Sequence, residues 1–95
     1  MALAFEWDPA KAASNLKRHA VSFEYALAVF GDPLARIFDD HAHSQDEARE
    51  LIIGHARDQV LLVVSFTERP TAIRLISARM ATKNERREYE ENVLP

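Results

Sequence analysis

His41-Ala42-His43, preceded by Asp39 and Asp40 and followed by Glu47, is the densest run of chemically versatile side chains in the sequence. Alternate residues of an extended chain share a face, so His41 and His43 have the spacing of two metal ligands with carboxylates beside them. The same run in a polar loop suits plain proton transfer, because an unperturbed imidazole titrates near neutral pH, and His43 is the favoured general acid or base. His55 falls inside an apolar stretch and reads as a structural histidine satisfied by the fold. Arg79 stands where a β-like segment ends and helix-start signals begin, a place that favours anions. It is the preferred phosphate ligand, with pairing to surface carboxylates as the alternative. Arg74 lies an odd number of residues earlier, so a regular strand turns the two arginines to opposite faces unless a bulge intervenes.

Several chemistries are excluded. The sequence has no Gly-rich phosphate loop, no Gly-x-Ser-x-Gly elbow and no His-Glu-x-x-His helix, which sets aside nucleotide hydrolysis, α/β-hydrolase chemistry and zinc peptidase chemistry. Cysteine is absent, which removes thiolate metal sites, cysteine nucleophiles and disulfides. What remains is a set of His, Arg, Lys and carboxylate side chains near strand ends. Metal-free RNA cleavage needs such a set: a base for the 2′-hydroxyl, an acid for the leaving 5′-oxygen, and cations for the charge on phosphorus.

The elements that must hold these groups are legible from local signals. Leu3 to Trp7 alternates as a short strand, and Asp8-Pro9 caps a helix running to about Ala20, with Ala12, Ala13, Leu16 and Ala20 on its apolar face. Ser22 caps a second helix from Phe23 to Phe30, which Gly31 and Asp32-Pro33 close. Leu34 to Asp39 predicts a strand, and His41 to Arg49 a polar loop or short turn. Leu51–Arg57 and Val60–Thr67 predict a hairpin around Asp58-Gln59. Glu68 to Thr71 turns the chain into a strand over Ala72–Arg79, where Ile73, Leu75 and Ser77 alternate with Arg74, Ile76 and Ala78. Thr82-Lys83-Asn84-Glu85 is a capping box opening a charged helix to about Asn92. With few apolar residues besides Tyr89 and Val93, that helix reads as solvated or partner-facing. The order β-α-α-β-β-β-β-α, with an antiparallel meander in the second half, places the chain in the α+β class.

At 95 residues, 47% hydrophobic and 28% charged, the chain is expected to fold as one domain over 1–95. Fifteen acids against 12 Lys and Arg give a net charge of −3, so any RNA-binding surface must be a local basic face. Lys17 and Arg18 lie in one basic cluster; Arg69, Arg74, Arg79, Lys83, Arg86 and Arg87 lie in another. The longest apolar run, Val60–Val64, is far too short for a membrane helix, and the N-terminus lacks the basic region of a signal peptide. A cytoplasmic protein is expected.

Phe5-Glu6-Trp7-Asp8-Pro9-Ala10-Lys11-Ala12-Ala13-Ser14-Asn15, followed by Lys17-Arg18-His19-Ala20-Val21-Ser22-Phe23-Glu24, closely resembles the opening of the BrnT toxin family. Asp32-Pro33-Leu34, His43-Ser44, Ile53-Gly54, Ile76-Ser77-Ala78-Arg79-Met80-Ala81-Thr82 and Glu85-Arg86-Arg87-Glu88-Tyr89-Glu90 extend the resemblance, in order, over nearly the whole chain. It implies a RelE-like α+β fold, with an antiparallel sheet of about four to five strands, two N-terminal helices and a C-terminal helix. It further implies a type II toxin that cleaves RNA and inhibits translation. The implied partner is a BrnA-type antitoxin with a ribbon-helix-helix domain, in a heterotetramer of two toxins and two antitoxins that reaches operator DNA only through the antitoxin. On this reading the endoribonuclease uses no metal or other cofactor. Lys17 and Arg79 hold phosphate, His43 moves a proton, and Glu47 orients His43 or acts as base, while Arg18, Arg74 and Lys83 add phosphate contacts. Two departures stand out: Ala20 replaces the family's usual Gly, and the Asp58-Gln59 hairpin is shorter than the common Gly-containing one. Two other functions compete with this one, a catalytically degenerate protein that only binds antitoxin and tunes its operon, and a metal-dependent nuclease built on His41 and His43.

Overall fold

Asp8 begins the first helix as its sequence predicts: its side chain accepts a hydrogen bond from the Ala10 N–H at 2.8 Å, and Pro9 takes the first helical position. The computed structural model describes residues 4–43 and 47–93; the first residue of the predicted opening strand, Leu3, and Ser44 of the His43-Ser44 pair lie outside them. Strand β1 (Phe5–Glu6) leads into helix α1 (Pro9–His19). Helix α2 (Phe23–Ala26), capped by Ser22, passes into a tight 3-10 turn over Leu27–Gly31. Four strands follow, β2 (Arg36–Asp39), β3 (Glu50–His55), β4 (Leu61–Glu68) and β5 (Ile73–Met80), and then helix α3 (Lys83–Val93). The predicted order of elements holds. Gly31 is not the left-handed helix stop that the sequence suggests, because the 3-10 turn uses up the end of the helix and no glycine has a positive φ among the described residues.

The five strands lie in the order β1-β5-β4-β3-β2. β2 to β5 form the expected antiparallel meander, but β1 joins β5 in parallel, so the sheet is mixed rather than wholly antiparallel. α1 and α2 cover one face, where Phe23, Ala26, Val29, Ile52, Leu62, Val64, Phe66, Leu75 and Ala78 form the main core. On the other face α3 covers a second cluster of Ile53, Leu61, Val63 and Tyr89. Burial of the Tyr89 ring, 5% exposed, ties this charged helix to the sheet, so α3 is anchored and not simply solvated.

The sheet's irregularity lies in β5. Ser65 pairs with Ser77, but Phe66 pairs with Leu75, so Ile76 is an extra residue bulging from the ladder. The bulge resets the alternation: Ile73, Leu75 and Ala78 face the main core, whereas strict alternation would have put Ser77 there.

Past the short β1, the outer edge of β5 is closed by a side chain. Asn15 of α1 accepts from the Ala78 N–H (3.0 Å) and donates to the carbonyls of Ala78 (2.8 Å) and Val21 (2.9 Å). Its amide therefore does what another strand would do. The buried side of α1 is correspondingly Asn15 with the partly buried Ala12, while Leu16, read as core from its spacing, is 52% exposed.

Ala20 ends α1 in the left-handed conformation (φ 57°, ψ 27°), its N–H reaching the Leu16 carbonyl at 2.9 Å. This explains physically why the family resemblance expects glycine there: a Cβ in this region costs about 1–2 kcal/mol, partly offset by the greater backbone entropy glycine loses on folding. Ala20→Gly is expected to raise stability by about 0.5–1 kcal/mol, read from the urea or thermal midpoint, and a lowered midpoint would contradict this cap geometry.

Candidate active site on the open sheet face

The bulge at Ile76 decides which arginines can work together. With the extra residue in β5, Arg74 and Arg79 point to the same face of the sheet, the one away from α1 and α2. Arg79 pairs with Val63, Val63 with Ile53 and Ile53 with Arg36, so these side chains form one row across the sheet. Over this row α3 leaves a cleft of about 460 Å³ lined by Arg36, Phe38, Leu51, Ile53, Val63, Glu85, Glu88 and Tyr89. The Arg36 guanidinium lies 5.8 Å from the centre of the Phe38 ring.

Arg79 is held in a fixed plane. Its Nη1 donates to Glu85 Oε1 at 2.7 Å and its Nη2 to Glu85 Oε2 at 2.9 Å, while Nη1 also reaches the Met80 carbonyl at 3.3 Å. Glu85 is itself fixed by the predicted capping box: it accepts from the Thr82 N–H at 2.8 Å and its own N–H donates to Thr82 Oγ1 at 3.1 Å. The bonds from Arg79, with those from Thr82, outweigh burial and hold the Glu85 carboxyl at a pKa of about 2. Because the clamp is made end-on through the two Nη atoms, the N–H on Nε and the second N–H on Nη2 remain outside these bonds. They form a fork suited to a phosphate.

The other end of the open face carries different groups. Arg74 binds Glu6 at 2.7 Å, and Thr67, which pairs with Arg74, donates to the Ala48 carbonyl at 2.7 Å, tying down the chain before β3. Here Glu47 accepts from Arg69 at 3.0 Å, and His43 Nδ1 sits 3.1 Å from both oxygens of Asp40. Asp40 is thus the carboxylate at His43, while the contact described for Glu47 is with Arg69. The rows of Val63 and Thr67 are four residues apart on β4, roughly 13 Å at about 3.3 Å per residue, so Arg79 and Arg74 suit different phosphates of one strand.

Lys17 and Arg18 are exposed in the last turn of α1, on the layer opposite Arg74 and Arg79, and Lys83 is exposed at the first turn of α3. Arg79 and Lys83 thus belong to one end of the sheet and Arg74, His43 and Glu47 to the other, where Arg74 on β5 and His43 after β2 are three strands apart and do not meet, while Lys17 and Arg18 are on the reverse side. Among the described residues no group of three or more His, Asp or Glu side chains is placed to hold a metal ion. His41 lies 3.9 Å from Asp39, separate from the His43–Asp40 pair.

Sequence reasoning missed Arg36, Glu88 and Tyr89 as cleft residues, and missed the pairing of His55 with Asp32. His55 Nδ1 lies 3.3 Å from Asp32 Oδ2, and the same oxygen accepts the His55 N–H at 2.7 Å. Asp32-Pro33 reads in sequence only as a helix stop. The available signal was Gly54 beside His55: a Cβ there would stand 2.9 Å from Ala35 Cβ and 3.2 Å from Asp32 Oδ2, so glycine makes room for the carboxylate.

The comparisons agree with this architecture. The family model described as "Ribonuclease toxin, BrnT, of type II toxin-antitoxin system" matches residues 7–85. The 1.1 Å crystal structure of the Brucella abortus ribonuclease toxin BrnT is similar in fold, with a TM-score of 0.63 at 24% identity, covering 86% of this chain and all of that one. No curated protein sequence matches the chain. The family match runs from Trp7, just before α1, through β5 to Glu85 in the first turn of α3, and the chain belongs to the BrnT family of ribonuclease toxins of type II toxin–antitoxin systems.

Proposed function

We propose that this chain is an endoribonuclease that cuts single-stranded RNA laid along its open sheet face, without a metal ion, and so arrests translation. The observation that carries this reading is the Arg79 fork: a guanidinium locked by Glu85 through its two Nη atoms, with the Nε N–H and the second Nη2 N–H outside that clamp. Such a pre-set donor pair stabilises charge developing on a scissile phosphate without reorganising during the reaction. Arg74 and Lys83 extend the cationic track toward neighbouring phosphates, and Lys17 and Arg18 give the reverse side a second basic patch that RNA reaches only by wrapping the domain. Proton transfer falls to a histidine, with His43 at the Arg74 end as the sequence-based candidate.

As a type II toxin the chain has an antitoxin partner, here a BrnA-type protein that covers the basic face. The 2:2 heterotetramer binds operator DNA through the antitoxin's ribbon-helix-helix domain. At a net charge of −3 the toxin alone is expected to bind operator DNA weakly, because non-specific affinity for a duplex rests on many phosphate contacts. No helix among the described residues is long and apolar enough to cross a membrane, in keeping with action in the cytoplasm. Purified chain incubated with RNA is expected to cut it equally well with and without EDTA. Cleavage abolished by EDTA and restored by a divalent cation would overturn metal independence, and intact RNA under both conditions would overturn the enzymatic reading.

A further inference from the structure

Sequence reading makes His55 a structural residue, yet its surroundings are those of a working base. Asp32 is one-tenth exposed and fully engaged: Oδ1 accepts the Leu34 N–H at 3.0 Å, and Oδ2 takes both the N–H and the ring Nδ1 of His55. Burial pushes the Asp32 carboxyl up, but the bonds from His55 and Leu34 outweigh it and leave the group below its ordinary value. A fixed carboxylate at Nδ1 selects the tautomer with its proton there and leaves the Nε2 lone pair available. Nε2 makes no hydrogen bond among the described residues, and the ring is one-third exposed.

The ring also lies on the right face. His55 is two residues beyond Ile53 on β3, so it shares the open face with the row of Arg36 and Arg79, one step of about 7 Å along the strand. It meets the edge of the Tyr89 ring, a wall of the cleft, at a centroid distance of 5.5 Å. Tyr89 is held in turn by a hydrogen bond from its hydroxyl to the Leu34 carbonyl at 3.0 Å. The charged group at the ring is Asp32 from the turn before β2, and Arg36 from β2 with Glu85 and Glu88 from α3 are the charged groups lining the cleft that shares Tyr89 with it. By contrast His43 is at the far end of β3, several strand steps from Arg79.

We infer that His55 is the general base of the cleavage reaction and Asp32 its positioning residue, an assignment that rests on the ribonuclease reading above. Neutral Nε2 takes the proton of the 2′-hydroxyl as the 2′-oxygen bonds to phosphorus. The bond from phosphorus to the 5′-oxygen breaks, and that oxygen takes a proton from water, leaving a 2′,3′-cyclic phosphate and a 5′-hydroxyl. The imidazolium then returns its proton to solvent.

The test compares RNA cleavage by the parent chain, His55→Ala, His55→Gln and Asp32→Asn, with thermal unfolding of each. Both His55 variants are expected to lose about 10²–10⁴-fold in rate. Added imidazole should restore part of the rate to His55→Ala, which a purely structural role would not allow. Asp32→Asn should lower the rate and change the acidic limb of the pH profile. An active parent with fully active His55 variants overturns the role of His55 and leaves the ribonuclease reading standing. So does a folded His55→Ala whose lost activity imidazole does not restore. A parent that leaves RNA intact overturns both.

Discussion

Arg79→Ala is expected to slow RNA cleavage by about 10²–10³-fold, the usual loss when one pre-organised donor to a developing charge is removed. Arg79→Lys should recover little of this. An ammonium restores the charge but not the planar fork that meets Glu85 on one side and leaves two N–H groups for phosphate on the other. The same pair predicts an acid signature. Glu85 has a folded pKa of about 2 against an ordinary 4.5, so its contribution to stability is complete above pH 4.5 and is lost as pH falls toward 2. With both side chains about one-third exposed, that contribution is on the order of 1 kcal/mol. Arg79→Ala should therefore be less stable than the parent at neutral pH, and the gap should narrow in acid. Circular dichroism melts across that range check the second effect, and single-turnover cleavage checks the first. Unchanged cleavage by a folded Arg79→Ala would remove Arg79 from the reaction.

Asn15→Ala is expected to be the more damaging change to stability, at about 2–4 kcal/mol. It strips one N–H and two carbonyls of their partners in a buried place, and each orphaned group costs roughly 1–3 kcal/mol, with some of the loss recovered by relaxation. A domain of this size has about 5–15 kcal/mol in total, so the variant should melt well below the parent. Asn15→Asp should do no better, since it keeps the acceptor for the Ala78 N–H but turns lone pairs toward the carbonyls of Val21 and Ala78. Equilibrium urea unfolding measures both. A loss within about 0.5 kcal/mol would show that β5 does not depend on this side chain.

Those two residues also mark what the sequence could disclose. Asp8-Pro9, Ser22 and the Thr82–Glu85 box were legible because a cap is a contact between residues a few positions apart. The hairpin was legible from spacing but its turn is longer than the two residues predicted: β3 ends at His55 and β4 starts at Leu61, the Ala56 N–H bonds the Val60 carbonyl at 2.8 Å, and a 3-10 turn over Arg57–Gln59 holds Asp58 and Gln59 at positive φ (61° and 66°), where glycine is the usual choice. The bulge at Ile76 was not legible, because the alternation through Ile73, Leu75 and Ser77 is regular in sequence and the slip arises only in pairing with β4. Without it, Arg74 and Arg79 could not be assigned to one face. The parallel pairing of β1 with β5 and the reach of Asn15 to Ala78 are likewise contacts between distant parts of the chain, invisible to local pattern. For the candidate site, the place of Arg79 between a strand end and a helix start drew attention to it, and the fold supplied Glu85, Arg36, Tyr89 and the Asp32–His55 pair.

The central claim is that RNA is cut on the open face by its own 2′-hydroxyl. The most direct measurement is the chemistry of the ends produced when the purified chain cuts an RNA oligonucleotide, alongside the same oligonucleotide carrying a single 2′-deoxy residue at the cleaved position. The account predicts a 2′,3′-cyclic phosphate or 3′-phosphate on one product, a 5′-hydroxyl on the other, and no cleavage at the deoxy position. A 5′-phosphate with a 3′-hydroxyl, or cleavage at the deoxy residue, would contradict it.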